Sequence, residues 1–396
     1  MTNRQIFLSH VAQTSDAPIA LEIVRAKGIH MWDVNGKEYI DLIAGFSVAN
    51  IGHGNAAVIK AVQQQAEHYM HLIVYGEFIE TPQVAYAQML TQHLPAALNS
   101  VYFTNSGAEA TEGAMKLAKR VTGRSKIIAC NKAYHGSTQG ALSVMGDEYW
   151  RNAFRPLLPD IYHEDYGSQE LISAIDGQTA CVIIETVQAE SGVSKTPAGW
   201  LNKLRKACDQ HCVLLIFDEI QAGFGRTGSL WAFEQYGVVP DILLLGKALG
   251  GGMPLGAFIA NKSLMATLTY NPVLGHITTF GGHPVSCAAG LAAMQYLVES
   301  KMIDAVKNKE DLFISLLHHP LIVSVRSAGL WLAVQFDSYE TCKKVIDACI
   351  ERGVVSDWFL FAPNCLRIAP PLIITAKEIR HCCNIIVESC KEIYSH

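Results

Sequence analysis

Charged residues are scarce in this chain of 396: Lys, Arg, Asp and Glu together make up 17%, against about 25% in an average soluble protein. So low a fraction excludes a disordered or coiled-coil chain and implies that part of the surface is hidden against another subunit. There is no basic excess either. The 31 Lys+Arg stand against 36 Asp+Glu, a net charge of −5, which leaves no electrostatic footprint for nucleic acid. Long apolar runs are also missing: none approaches the ~20 residues of a membrane-spanning helix. The opening MTNRQIFLSHVAQTSDAP lacks the apolar core of a signal peptide. The 11 cysteines are scattered between positions 130 and 390 with no CxxC pair, the pattern of free thiols packed as small hydrophobes in a reducing compartment. Neither His211 between Cys208 and Cys212 nor the pair His318-His319 makes a spaced ligand set, so no metal is expected. The expectation is a soluble, cytoplasmic protein without nucleic-acid or membrane partners.

What is present is apolar: 50% of the residues are hydrophobic, enough for two to three domains and a sheet covered on both faces. Short apolar runs at Val101–Phe103, Lys126–Ala129, Ala180–Ile184, Val213–Phe217, Ile242–Leu245 and Ala257–Ala260 read as strands. Between them lie helical patterns, in Gly107–Arg120 and in Trp200–His211, where Trp200, Leu204, Ala207 and Cys208 share one face. Strands without inside/outside alternation, separated by helices, predict an α/β fold with a mostly parallel sheet. Residues 1–50 differ, with alternating GIHMWDVNGKEYIDL and an Asn35–Gly36 turn that suggests a hairpin. Residues 301–396 mix helices with alternating segments such as LWLAVQF. The expected division is 1–50 and 301–396 as two parts of one small domain, with 51–300 as a large one.

In an open parallel sheet, ligands gather at the carboxyl ends of the strands. There the chain places Ser106-Gly107-Ala108, Tyr134-His135-Gly136, Glu185, Asp218-Glu219 and Gly246-Lys247. Ser106-Gly107-Ala108 opens a helix, where free N–H groups and the dipole favour a phosphate; the plainer reading is an ordinary Ser cap. Asp218 ends a buried strand, and a carboxylate there needs a cationic nitrogen, an Arg partner or a helix cap. Lys247, between DILLLG and ALGGGMP, has the apolar setting that lowers an amine's pKa for Schiff-base chemistry; the alternative is a Lys reaching the surface. Tyr134 is placed either to stack on a ring or to pack in the core. The literal GxGxxG at 223–228 does not turn from strand directly into helix and carries no dinucleotide reading, and no Walker A pattern occurs.

Taken in order, TNSGAEATEGAMKLAK, AYHG, IIETVQAESGV, IFDEIQAGFGRTG, LLLGKALGGGMPLGA and HITTFGGHP resemble the class III (subgroup II) aminotransferases, which use pyridoxal 5′-phosphate. The likeness extends to the early WDVNGKEYIDLIAGFSVANIGH and the late LRIAPPLIIT. It implies the fold type I (aspartate aminotransferase-like) architecture and a homodimer with shared sites. By resemblance, Lys247 is the Schiff-base lysine and Asp218 the carboxylate that keeps the pyridine nitrogen protonated. Ser106, Gly107 and Ala108 cradle the phosphate, and Thr279 reaches it from the neighbouring subunit. Tyr134 stacks on the ring with His135 beside it, Glu185 closes the cofactor-binding set, and Gln221 lies near the phenolic oxygen. Arg367 grips a substrate carboxylate, and Glu190 covers it when the substrate has none. Phe46 and Ser137 complete the substrate side. Ser137 stands where relatives carry an arginine for a second carboxylate, Thr186 where proline is usual, and His283 where asparagine is common. The implied reaction is ping-pong transfer from an amino acid or ω-amine, acetylornithine- or ornithine-like, to a 2-oxo acid such as 2-oxoglutarate. A mutase, decarboxylase or racemase on the same scaffold is the second reading.

Overall fold

A computed structural model describes residues 2–394. Its centre is a seven-stranded sheet in the order Ser100–Thr104, Gly256–Ala260, Ile242–Leu245, Leu214–Asp218, Thr179–Glu185, Lys126–Cys130 and Ile161–Glu164. Every neighbouring pair is parallel except the two made by Gly256–Ala260, which runs against Ser100–Thr104 on one side and Ile242–Leu245 on the other. All six strands expected from the apolar runs are present, to within two residues at each end. The seventh, Ile161–Glu164, has the sequence IYHE and only partial burial. An edge strand exposed on one side needs no apolar run, which is why none marks it.

Successive strand residues face two different cores. Ile127, Ile183, Ile216, Leu244 and Phe258 pack under the buried face of helix Gly107–Thr122, which supplies Ala110, Ala114, Met115 and Leu117. Their neighbours Ile128, Val182, Ile184, Leu215 and Leu243 face the opposite side, where Trp200, Leu201, Leu204 and Cys208 of helix Trp200–His211 cover them. Two-sided covering explains strands such as ILLL and TACVIIE, buried at every position.

The chain ends build two smaller sheets. Ile23–Lys27, His30–Asp33 and Glu38–Asp41 form an antiparallel meander, its second turn closed by the Asp33 carboxylate accepting from the N–H groups of Asn35 and Lys37. Val354–Val355, over three hundred residues later, joins it parallel to Glu38–Asp41. Ser324–Ser327, Leu332–Gln335, Ala362–Ile368 and Trp358–Phe359 make the other sheet, which packs on helix Tyr339–Glu351. Arg226, in the GxGxxG segment, is fully buried and ties these parts together. Its guanidinium donates to Leu330 O and Pro370 O, each at 2.7 Å, and to Asn50 Oδ1 at 2.5 Å. The segment thus has a structural role, joining the two chain ends to the central sheet. Among the described residues no helix is long and apolar enough to cross a membrane. No group of three or more His, Cys, Asp or Glu among them is arranged to hold a metal ion.

Candidate active site

The strand ends converge on a cavity of about 290 Å³ lined by Ser106, Gly107, Ala108, Tyr134, His135, Ser137, Glu185, Asp218, Gln221 and Lys247, among others. Each is delivered by a local feature. Ser106 is the extended N-cap of helix Gly107–Thr122, its hydroxyl accepting from the N–H of Glu109 at 3.2 Å. The first N–H groups of that helix have no acceptor within it and open toward the cavity as an anion cradle. Gly136, at φ +126°, brings the Tyr134-His135 turn so close to the helix start that a Cβ there would lie 2.6 Å from the Cβ of Ala108.

Deeper in, Asp218 at the end of its strand accepts from Ile220 N–H at 2.9 Å and pairs with His135 Nδ1 at 2.7 Å. Its partner is thus neither an arginine nor a cap alone. Burial disfavours a charged imidazole at His135, but the bond to Asp218 and the charges of Asp218 and Glu185 outweigh it and raise the pKa. Glu185 accepts from Tyr134 N–H and Ala189 N–H at 3.2 and 2.7 Å. Burial pushes it up to about 7, with His135 pulling it back and Asp218 pushing it further.

Lys247 follows strand Ile242–Leu245 with φ +49°, a left-handed conformation uncommon for a residue with a Cβ. Its Nζ donates to Gln221 Oε1 at 3.3 Å. Burial lowers its pKa, against the pull of Asp218 and Glu190 and with the help of Arg367. An amine so placed loses its proton readily and becomes a nucleophile. The side-chain nitrogen of Gln221 and Nε2 of His135 are buried without a partner. Unmet donors beside a depressed lysine, an anion cradle and a buried carboxylate fit a phosphorylated aromatic aldehyde with a ring nitrogen and a phenolic oxygen.

Beside this cavity lies a second cluster. Arg367 and Glu190 are both buried and pair two-pronged, Nη1 to Oε1 at 3.0 Å and Nη2 to Oε2 at 2.8 Å. Burial would raise the Glu190 pKa, but Arg367 holds it below the usual range. Phe46 lies 5.2 Å from the guanidinium, carried there by a left-handed turn in which Ala44, Gly45, Phe46 and Ser47 all have positive φ. Asp41 fixes that turn by accepting from the N–H groups of Ile43 and Ala44, each at 2.8 Å. Ser137 is exposed at the cavity rim, its hydroxyl 3.1 Å from that of Tyr134. Thr279 does not join either cluster in this chain; it is exposed on the loop before helix Pro284–Glu299. One residue of the second cluster escaped the sequence reading. Asp357 accepts from Arg367 Nε at 2.9 Å, and no strand-end pattern marks it within VSDWFLFAP.

The model of the family "Aminotransferase class-III" matches residues 11–389. The chain belongs to the class-III aminotransferases. Among relatives of this aminotransferase, the acetylornithine aminotransferase of Methanopyrus kandleri is 40% identical over 93% of this chain and 94% of its own length. Ornithine aminotransferase 1 of Staphylococcus aureus is 36% identical over 92% and 93%. The solved ornithine aminotransferase of Toxoplasma gondii, described with partial occupancy of PLP at its active site, superposes with a TM-score of 0.92 at 31% identity. That superposition covers 99% of this chain and 94% of the other. The family, the fold type I architecture and pyridoxal phosphate as cofactor, expected from the ordered motifs, are therefore established for this aminotransferase, as is amino transfer rather than a mutase, decarboxylase or racemase reaction.

Proposed function

We propose that this aminotransferase takes its amino group from an ω-amine or amino acid of the acetylornithine/ornithine kind and passes it to a 2-oxo acid such as 2-oxoglutarate. The observation that carries the reading is the buried two-pronged Arg367–Glu190 pair beside Lys247. With Glu190 in place the pocket accepts an amine lacking a nearby carboxylate; with Glu190 turned away, Arg367 receives the carboxylate of an oxo acid. The names of the curated relatives point to the same donors. Ser137 supplies no guanidinium for a distal carboxylate, so recognition rests on Arg367.

Pyridoxal phosphate, when bound, supplies an electrophilic carbonyl and a ring that withdraws electrons from the substrate's Cα. Ser106, Gly107 and Ala108 would hold its phosphate, with Thr279 contributed by the partner subunit of a homodimer. Asp218, steadied by His135, would face the ring nitrogen and keep it protonated. Gln221 would donate to the phenolic oxygen, Tyr134 would pack on the ring, and Glu185 would brace the turn that carries Tyr134. Lys247, its amine depressed by burial, would first attach the cofactor and then hold and move the proton that leaves the substrate. Phe280, next to Thr279 in the chain, is exposed and its ring lies 4.6 Å from that of His71, beside the exposed Met70, an apolar patch that suits a subunit interface. We place the enzyme in the cytoplasm, on its ten buried free cysteines. Residues 1–50 and 301–396 are assigned to one small domain, on the strand pairing of Val354–Val355 with Glu38–Asp41, and 51–300 to the large one.

The test is direct. The purified enzyme should show a visible cofactor band, and borohydride should fix the cofactor to the peptide containing Lys247. Lys247→Ala should abolish that attachment; a covalent adduct that survives would overturn the assignment. A panel of ω-amines and α-amino acids, followed by oxo acids, should then bleach and restore the band, and only the competent pairs will do both.

A further inference from the structure

Arg367 carries more negative partners than a gate requires. Besides the two bonds to Glu190, its Nε donates to Asp357 Oδ1 at 2.9 Å and Nη2 donates to Trp358 O at 3.1 Å. The ring of Phe359 lies 4.1 Å from the guanidinium. The arginine side chain is 1% exposed, Glu190 7% and Asp357 14%. One cation is therefore buried with two carboxylates, and the cluster carries a surplus negative charge where desolvation makes charge count most. Burial pushes the Asp357 carboxyl up to about 6, with Arg367 pulling it down and Glu190 pushing it further up. The bond from Arg367 Nε favours its ionised form.

The two carboxylates are not held alike. Asp357 is locked to Arg367 through the main chain as well. Arg367 N–H donates to Asp357 O at 2.8 Å, and the neighbouring Ser356 hydroxyl donates to Arg367 O at 2.6 Å. Glu190 sits in the loop between Gln188 and Ser194, its side chain tethered outside Arg367 only by the N–H of Leu360 at 2.9 Å. Rotation of the Glu190 side chain frees Nη1 and leaves Nη2 its bond to Trp358 O; Asp357, whose main chain is paired with that of Arg367 itself, stays beside Nε on the same hairpin.

We propose that Asp357 is a positioning residue that stays on Arg367 throughout the reaction and biases the site toward amines whose reacting carbon bears no carboxylate. Resting on the aminotransferase reading above, the inference names the substrate class that this gate prefers. A gate of one arginine and one glutamate is neutral whether the glutamate or a substrate carboxylate fills it. With Asp357 added, the site carries a net negative charge in both states, which attracts an incoming ammonium and opposes an incoming carboxylate. At the same time, Asp357 keeps the guanidinium in place when Glu190 lets go.

The experiment compares holoenzymes of the wild type, Asp357→Asn and Asp357→Glu. Asn keeps an oxygen for Nε and removes only the charge. Calorimetric titration with glutarate, which has neither amine nor oxo group and cannot react, reads the affinity of Arg367 for a carboxylate. Asp357→Asn should bind glutarate about tenfold more tightly than the wild type. It should also shift the ratio of single-turnover rates, ω-amine to α-amino acid, about tenfold toward the α-amino acid. Asp357→Glu, which restores the charge, should return that ratio to the wild-type value. Unchanged or weaker glutarate binding in a folded Asp357→Asn enzyme overturns the proposal, as does an equal loss of rate with both donor classes, the mark of a merely structural role. If Asp357→Asn does not fold, Asp357→Ser, which also removes the charge and keeps an oxygen, decides by the same two readouts: tighter glutarate binding with a shifted ratio upholds the proposal, and unchanged values refute it. A wild type that bleaches with no amine would instead sink the transaminase reading, and the glutarate titration would still report on Asp357.

Discussion

Gly256 is the position where a single methyl group should reach the cofactor site from outside it. It begins its strand opposite Thr104, and a Cβ built there lies 2.2 Å from Ser106 O and 2.5 Å from both Ser106 C and Thr104 Oγ1. Carbon and carbonyl oxygen approach no closer than about 3.3 Å even in favourable contacts, so Gly256→Ala must displace the turn or the strand by about 1 Å. Ser106 O is not free to give way. It accepts the first helical bond, from Ala110 N–H at 3.1 Å, and the Thr104 hydroxyl at 2.9 Å. The displaced unit therefore includes the N–H groups proposed to hold the phosphate. Losing one charge-assisted hydrogen bond, about 1.5–3 kcal/mol, weakens cofactor binding roughly 10- to 150-fold. The overpacking itself costs about 1–3 kcal/mol of stability. The assay is titration of the apoenzyme with pyridoxal phosphate, followed by the visible band. Gly177→Ala serves as control, since a Cβ at Gly177 meets nothing within 4 Å. A folded Gly256→Ala protein that binds cofactor as tightly as this control would refute the reasoning.

Asp218→Ala should retain weak cofactor binding and lose turnover by about 10²- to 10³-fold at saturating cofactor; full activity would remove Asp218 from its role. Glu219 accepts from the N–H groups of Ala232 and Phe233 at 2.7 and 2.6 Å, yet burial pushes its carboxyl from 4.5 up to about 8. The folded protein thus holds a proton that the unfolded chain has released, and stability falls as pH rises from about 4.5 to 8. Thermal midpoints at pH 5, 6.5 and 8 should slope less for Glu219→Gln, and parallel slopes would contradict the assignment. A thiol reagent should label one of the 11 free cysteines in the native protein, the exposed Cys212, and all of them after denaturation; rapid native labelling of a second site would count against the packing described.

Much of this was legible because the chemistry and the sheet share the same positions. The apolar runs end where the polar groups begin, so finding Ile242–Leu245 also located Lys247, and finding Leu214–Asp218 located Asp218 itself. Helix Trp200–His211 has the predicted bounds because its apolar face is spaced for one core. Cys212, which looks apolar in HCVLLIF, instead caps that helix in a left-handed conformation and is exposed, since periodicity does not register a turn. Asp357 stayed hidden for a related reason. Its partnership with Arg367 arises from pairing between Trp358–Phe359 and Ala362–Ile368, a hairpin whose apolar WFLF obscures the one charge that matters. The left-handed turn Ala44–Ser47 is equally silent, for only one of its four residues is glycine.

The reversed strand Gly256–Ala260 has a metrological consequence. It lies between the strand that leads to Ser106 and the strand that leads to Lys247, bonded to both, with Gly256 opposite Thr104 and Ala257 opposite Leu245. Adjacent strands sit about 4.8 Å apart, so main-chain hydrogen bonds set the two strand ends two rungs apart, and beyond them the chain closes up until a Cβ at Gly246 would lie 3.5 Å from Gly107 Cα. Asp218 and Glu185 follow at one rung each beyond the lysine strand. The sheet acts as a calibrated ruler whose graduations are peptide groups. Side-chain changes in the cores on either face can alter how firmly the ruler is mounted while leaving its graduations where they are.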